Sequence, residues 1–165
     1  MARSVPRRCV AHLTDAHLRP ASAPLLGGLV DPAAVLRRAV GVLERWDHPC
    51  DAWFFGGDLS DTGDAETYAA LRAIVEPAAS ARGVRVIYAN GNHDDPDAFA
   101  RVLWGEPAAG PLHREDRVGG LRWLSLDSTV PGAPHGRITE AAAEWLRGRL
   151  ATPAPEGTIL ALHHP

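Results

Sequence analysis

The sequence predicts an α/β layered domain with mostly parallel central strands, and three observations support that prediction. Short apolar runs alternate with segments of helical period in the order β-α-β-α-β-α-β-β-α-β. That alternation is what crossover-linked parallel strands produce. Four of the expected strands run directly into Asp, Asn or His: 10–13 before Asp15-Ala16-His17, 53–55 before Gly56-Gly57-Asp58, 84–88 before Gly91-Asn92-His93-Asp94, and 159–162 before His163-His164. In open α/β sheets, ligands gather at the carboxyl ends of the strands. The length, 165 residues, suits one domain with a respectable core and is short for two.

Strand one is expected over 9–14. Residues 18–30 are rich in Pro, Gly and Ala and read as a loop. Asp31-Pro32 then opens a helix, with Asp as N-cap and Pro at the first helical position. Val35, Ala39, Val42, Leu43 and Trp46 recur at helical spacing and give it an apolar stripe. Strand two covers 52–55. A second helix over 65–81 puts Tyr68, Leu71 and Val75 on one face, and Pro77 is expected to bend it or end it early. Strand three covers 84–88. Asp95-Pro96 marks another capped start, for a helix reaching Trp104, and 105–116 reads as loop. Val118 and 121–126 flank Gly119-Gly120, a two-residue hairpin signal. Residues 131–136 form a turn-rich connection, Thr139 caps a helix to Leu150, 152–157 is a Pro-rich loop, and 158–162 is the last strand.

Hydrophobic residues make up 45% of the chain and charged ones 22%, a globular balance. The net charge is −3 and no periodic segment gathers basic residues on one face, which argues against a nucleic acid polymer as partner. All 17 cationic side chains are arginine. Cys9 and Cys50 lack any CxxC or zinc-ribbon spacing and read as structural thiols. No stretch approaches the ~18 apolar residues of a membrane span, and no apolar core follows the basic residues at 1–8, so the expected location is cytoplasmic.

An Asp-x-His alone is weak, since chance supplies about half of one match in a chain of this composition. Gly57-Asp58 is weaker still. Gly91-Asn92-His93-Asp94 is different, arising by chance about once in a thousand chains. The ordered set at strand ends suits a two-metal site. The Asp58 carboxylate can bridge two cations ~3.5–4 Å apart while Asp15 and His17 complete one side. Asn92 offers an amide oxygen to the other cation and His163 an imidazole nitrogen. A hydroxide bridging the metals would be the nucleophile. His93 would meet a phosphoryl oxygen or protonate the departing alkoxide. Asp94 would orient His93 or, equally, N-cap the next helix.

These residues resemble the calcineurin-like metallophosphoesterase superfamily, whose pattern runs D-x-H, GD, GNH[DE], H and a closing GHxH. Leu59-Ser60-Asp61 after Gly-Asp, 91–95 as GNHDD, Leu126-Asp127-Ser128 and Leu162-His163-His164-Pro165 are similar in detail to one branch, the class III cyclic-nucleotide phosphodiesterases and their glycerophosphodiesterase relatives. The resemblance runs from about Val10 to Pro165. It implies a layered β-sandwich flanked by helices (αββα). It further implies a first metal on Asp15, His17 and Asp58, and a second on Asp58, Asn92 and His163, with His93 at the leaving group. The metals implied are iron or manganese, with zinc or cobalt as alternatives. The activity implied is hydrolysis of phosphodiesters, 3′,5′-cyclic nucleotides such as cAMP foremost. The alternatives are phosphomonoester or glycerophosphodiester hydrolysis, or a truncated non-catalytic metal-binding module. A small phosphodiester is the expected partner, and a second copy of the chain is a candidate one.

The closing GHxH has no counterpart here. Residues 1–165 are therefore expected to be a single domain incomplete at its C-terminus, an N-terminal fragment lacking the C-terminal part of the fold. Each metal would keep three protein ligands of four, so weak or partial loading is expected, together with uncovered apolar surface that favours aggregation. Strand alternation points His163 and His164 to opposite sides, and the resemblance selects His163 as the ligand. Asp127 reads as ordering a loop or serving the site. His135 reads as a solvated loop residue, His12 as a satisfied core or interface histidine, and His48 and His113 as surface loop residues. The tryptophans at 46, 53, 123 and 145 read as core.

Overall fold

The computed structural model describes residues 8–164. Pro165, the last residue of the final motif, lies outside them. The first sheet holds β1 (Val10–Leu13), β2 (Ala52–Gly56) and β3 (Arg85–Ala89), parallel and in the order β1-β2-β3. Alternation along these strands splits their side chains between two faces. Trp53, Phe55 and Tyr88 pack with Leu36 and Val40 of α1 (Pro32–Glu44) and with Tyr68, Leu71 and Val75 of α2 (Ala65–Ala81). Phe99 and Leu103 join the same core. Ala52, Phe54, Ile87 and Ala89 face the other way.

That second face meets a second sheet. It consists of β4 (Arg114–Val118), β5 (Leu121–Ser125) and β6 (Thr158–Ala161), with β4 antiparallel and β6 parallel to β5. Val118, Trp123, Ile159 and Ala161 fill the space between the sheets, and the Phe54 and Trp123 rings lie 4.6 Å apart. Arg122 points away from this interface and is buried. Its guanidinium donates to the Arg149 and Thr152 carbonyls at the end of α4 (Glu140–Leu150) and to Thr158 Oγ1. Helices thus lie on the outer side of both sheets, the αββα arrangement expected from the resemblance.

Side-chain caps start the helices as the sequence dictates. Asp31 accepts from the Ala34 N–H, Asp95 from Ala98 and Thr139 from Ala142. Asp64 caps α2 in the same way through the Thr67 N–H. Gly119 and Gly120 both take positive φ, 52° and 93°, as a two-residue hairpin between twisted strands requires.

Several expectations change. The second helix does not end early but continues past Pro77 to Ala81, because Val75, Ala78 and Ala79 on either side of the proline are buried against the sheet. The third helical segment is one α-turn (α3, Pro96–Phe99) followed by a π-helical stretch, Ala100–Trp104, which Gly105 ends at φ 77°. Residues 114–116 are strand rather than loop. Their charges masked the β pattern, and the fold pairs them off: Asp116 with Arg85, Glu115 with Arg117 and Arg149. Trp46 is 47% exposed rather than core. His113 is not a surface loop residue: its Nδ1 accepts from the Asp127 N–H and its ring lies against Trp145. Among the described residues, no helix is long and apolar enough to cross a membrane.

Candidate metal centre

The loops that leave β1, β2, β3 and β6 converge on one side-chain cluster. Residues 15–18 run beside 57–61, pinned by backbone hydrogen bonds from the N–H of Asp15 to Gly57, of His17 to Asp58 and of Leu18 to Leu59, with Asp61 returning one to Leu18. Holding this path puts Asp15, His17 and Asp58 in left-handed backbone, at φ 56°, 42° and 51°. Only one other non-glycine described residue, Leu26, has positive φ. Such conformations cost of order 1–3 kcal/mol each and concentrate at functional sites.

Asp58 is buried at the centre. Its Oδ1 accepts the His93 backbone N–H at 2.9 Å, which directs Oδ2 between two imidazoles. Oδ2 lies 3.7 Å from His17 Nε2 and 3.5 Å from His163 Nε2. Asp15 Oδ1 lies 3.7 Å from the same His17 nitrogen. Ligand atoms of Asp15, Asp58 and His163 all fall within 4.8 Å of one another. Two ligands held about 2.1 Å from one ion stand about 3.0–3.4 Å apart, so the cluster needs only a small contraction to close on a cation. Carboxylate oxygens and imidazole nitrogens are the donor set that transition-metal dications take.

Each imidazole is oriented by its other nitrogen. His17 Nδ1 donates to Asp61 Oδ1 at 3.0 Å, and a carboxylate only accepts, so the Nε2 lone pair faces Asp15 and Asp58. His163 Nδ1 donates to the Gly56 carbonyl at 2.9 Å, leaving Nε2 toward Asp58. His164 turns elsewhere: it is buried, with Nδ1 2.8 Å from Ser128 Oγ and Gly136 packed against its ring. His93 stands at the open rim with its side chain 42% exposed, and its ring meets His17 edge-on at 4.9 Å. Its Nδ1 is 3.3 Å from the Asp61 carbonyl oxygen. Asn92 lies half-buried between Gly91 and His93, and among the described residues its amide makes no side-chain hydrogen bond.

Asp94 is placed differently from either reading of the sequence. The carboxylate is buried and accepts from the N–H groups of Leu59, Ser60 and Gly91 and from the Tyr68 hydroxyl; none of these bonds reaches His93. Asp95, not Asp94, caps the helix. Asp94 therefore ties the β2 loop to the β3 loop rather than touching the reacting groups. Burial pushes its carboxyl above the usual range, with those donors opposing. Asp127 ties another pair of segments, accepting from the Leu112 and Thr129 N–H groups and from Asn90 Nδ2.

Asp61 has a role that the sequence does not assign, although it follows Asp58 at the spacing Asp58-x-x-Asp61. Its carboxylate holds His17, lies 3.5 Å from His93 Nδ1 and is gripped by Arg19. His17, Asp61 and His93 also form a second group of mutually close ligand atoms. Both Asp61 oxygens are already engaged as acceptors, Oδ1 from His17 and Oδ2 from Arg19, so the carboxylate orients His17.

Two glycines let the loops close. A Cβ on Gly57, already at φ 106°, would sit 2.5 Å from His163 Nδ1. A Cβ on Gly91 would sit 2.5 Å from the Asp58 backbone nitrogen and nearer still to its Oδ1. Gly91→Ala is expected to cost about 1–3 kcal/mol of stability and to weaken metal binding with it, because Asp58 has nowhere to retreat. Denaturant unfolding and metal titration of the variant check this; wild-type values in both would show that the loops yield freely.

Burial opposes the charge on Asp58, but hydrogen bonds from His163 and the His93 N–H outweigh it and hold the carboxyl below its ordinary range. His163 is raised from 6.5 to about 9, first by its hydrogen bond to Asp58, with burial opposing and the Gly56 carbonyl assisting. The folded metal-free protein thus holds this proton more tightly than the unfolded chain. The resulting stability is full below pH 6.5 and is lost as pH rises through about 9. The loss is expected to be on the order of 2–3 kcal/mol. A cation needs the imidazole unprotonated, so metal affinity should rise over the same interval, by up to about tenfold per pH unit. Melting curves of chelated and Mn²⁺-loaded protein across that range give both signs; a chelated protein whose stability is flat there would rule out the His163–Asp58 pair.

Comparison with known proteins bears on the family and the fold. A probable cyclic nucleotide phosphodiesterase of Rhodococcus erythropolis is 44% identical over 162 residues, covering 97% of this chain and 53% of its own. A cAMP/cGMP dual specificity phosphodiesterase of Mycobacterium tuberculosis is 41% identical over 161 residues, covering 97% and 50%. The chain spans about half the length of these curated relatives. A dimetal phosphatase from Danio rerio, 14% identical, superposes with a TM-score of 0.64 over 97% of this chain and 70% of that one, a likeness of fold. The pattern described as calcineurin-like phosphoesterase matches residues 10–165. With strand-end carboxylates and imidazoles gathered on one edge of a sandwich and the match running through residues 10–165, the chain belongs to the calcineurin-like phosphoesterase family.

Proposed function

We propose that this chain carries the dinuclear metal centre of a phosphodiesterase, with 3′,5′-cyclic nucleotides such as cAMP as its substrate class. The observation that carries the reading is the placement of Asp58 Oδ2 between His17 Nε2 and His163 Nε2, with three ligand residues on left-handed backbone. Asp15, His17 and Asp58 would hold one cation, and Asp58, Asn92 and His163 the other. Bound there, iron or manganese, or alternatively zinc or cobalt, would neutralise phosphoryl charge and acidify water. The protein's own groups do the rest. His93, at the rim with Nδ1 toward the Asp61 carbonyl, leaves Nε2 to contact a phosphoryl oxygen or to pass a proton to the departing alkoxide. Asp94 and Asp127 hold the loops that present it. The substrate class rests on the names of the relatives, which describe cyclic-nucleotide phosphodiesterases.

The test is hydrolysis of cAMP and of bis(p-nitrophenyl) phosphate by chelated protein resupplied with Mn²⁺ or Fe²⁺. Metal-dependent turnover of both esters supports the proposal. Turnover of the aryl diester alone points to the glycerophosphodiesterase alternative, and metal binding without turnover to the non-catalytic module. The proposal also takes a cytoplasmic location and pairing with a second copy of the chain, which fractionation and light scattering measure.

A further inference from the structure

Arg19 lies just beyond the Asp15-Ala16-His17 turn, next to Leu18, whose backbone pairs with Leu59 and Asp61. Its guanidinium engages one carboxylate oxygen as a fork: Nε is 2.6 Å and Nη2 2.5 Å from Asp61 Oδ2. The remaining Nη1 donates to the Ala23 carbonyl at 3.4 Å. With Oδ2 so held, Asp61 Oδ1 is aimed at His17 Nδ1, 3.0 Å away, and at His93 Nδ1, 3.5 Å away. One arginine thereby fixes a carboxylate that sets the direction of the His17 imidazole and stands beside that of His93 at the open rim.

Charge balance gives the pair a second consequence. An unpaired guanidinium beside a cluster built for cations would repel them, and Asp61 neutralises it. Asp61 is thus needed both as an acceptor for His17 and as the counter-charge of Arg19. Arg19 is needed only to hold Asp61, since without it the carboxylate is free to rotate off His17.

We infer that Arg19 is a positioning residue of the metal centre, acting through Asp61 to fix His17 as the Nδ1–H tautomer and so to present Nε2 for metal binding. This rests on the dinuclear reading above only in its last step. The pairing of fork and imidazole is a property of the metal-free chain.

The experiment measures free Mn²⁺ by its magnetic resonance signal during titration of wild type, Arg19→Met, Asp61→Asn and the double variant. The His17 tautomer is read from ring-nitrogen chemical shifts in the metal-free proteins. Arg19→Met is expected to weaken Mn²⁺ binding on the order of tenfold, and Asp61→Asn toward a hundredfold, the range for groups that orient metal ligands. In the Asp61→Asn background, Arg19→Met should cost nothing further and should recover part of the loss, because it removes an unpaired cation. Arg19→Lys keeps the charge without the planar fork and should fall between wild type and Arg19→Met. His17 should be the Nδ1–H tautomer in wild type and mixed in Arg19→Met. Wild-type affinity in Arg19→Met, or an additive loss in the double variant, overturns the inference. If the wild type binds no Mn²⁺, the dinuclear reading fails and the tautomer decides alone: the same His17 tautomer in wild type and Arg19→Met overturns the role of Arg19.

Discussion

Asp58→Asn is expected to weaken metal binding by at least about a hundredfold while leaving the fold in place. The reasons for the two halves differ. Asn tolerates left-handed backbone nearly as well as Asp, so φ 51° at this position is kept. Its amide oxygen can still accept the His93 N–H that Asp58 Oδ1 accepts at 2.9 Å. The charge is lost, however, and with it the oxygen that lies 3.7 Å from His17 Nε2 and 3.5 Å from His163 Nε2. A single neutral group cannot serve two cations, so both sites suffer together. Losing the carboxylate also lets His163 return toward its ordinary pKa, since its hydrogen bond to Asp58 is the largest cause of the rise. Calorimetric titration with Mn²⁺ and a thermal melt of the chelated variant measure the two halves. An Asp58→Asn variant that binds two ions as tightly as wild type would falsify the bridging assignment.

Asp94→Ala should produce the largest loss of stability of any single substitution near the site, about 4 kcal/mol or more. Three backbone N–H groups and the Tyr68 hydroxyl end on this carboxylate. Alanine leaves all four donors without their acceptor in a buried place, and each unsatisfied group costs about 1–3 kcal/mol. Water entering the cavity recovers part of that. Against a total stability of about 5–15 kcal/mol, the variant is close to unfolding at 25 °C. Asp94→Asn keeps one acceptor oxygen but turns an NH₂ toward donors, and an intermediate loss of about 2 kcal/mol is expected. Urea unfolding gives both numbers. A loss below about 1 kcal/mol for the alanine variant would mean that the β2 and β3 loops hold together without Asp94. The same residue joins stability to the site, because the segments it ties, 59–60 and 91, flank Asp58 and Asn92.

The strand ends were legible because each Asp, Asn or His of the candidate site follows its own strand in sequence, and alternation is a local property. The same locality made the caps readable at Asp31, Asp95 and Thr139, and the turn at Gly119-Gly120. Where the sequence misled, a long-range contact had overridden a local preference. Pro77 argues for a break, yet the buried residues around it hold α2 together. The charged run at 114–116 reads as loop until Arg85 and Arg149 arrive from other elements to pair it.

The sequence by itself therefore determined the family, the order of elements and the residue types available at each strand end. It left open which way Asp94 and Asp61 face and what holds the rings of His17 and His163. Tertiary structure decided those, because the partners involved are 44 residues away for His17 with Asp61, 35 for Leu59 with Asp94 and 107 for His163 with Gly56. A hydrogen bond across such distances depends on how the loops come to lie side by side, and no periodicity within either segment records it.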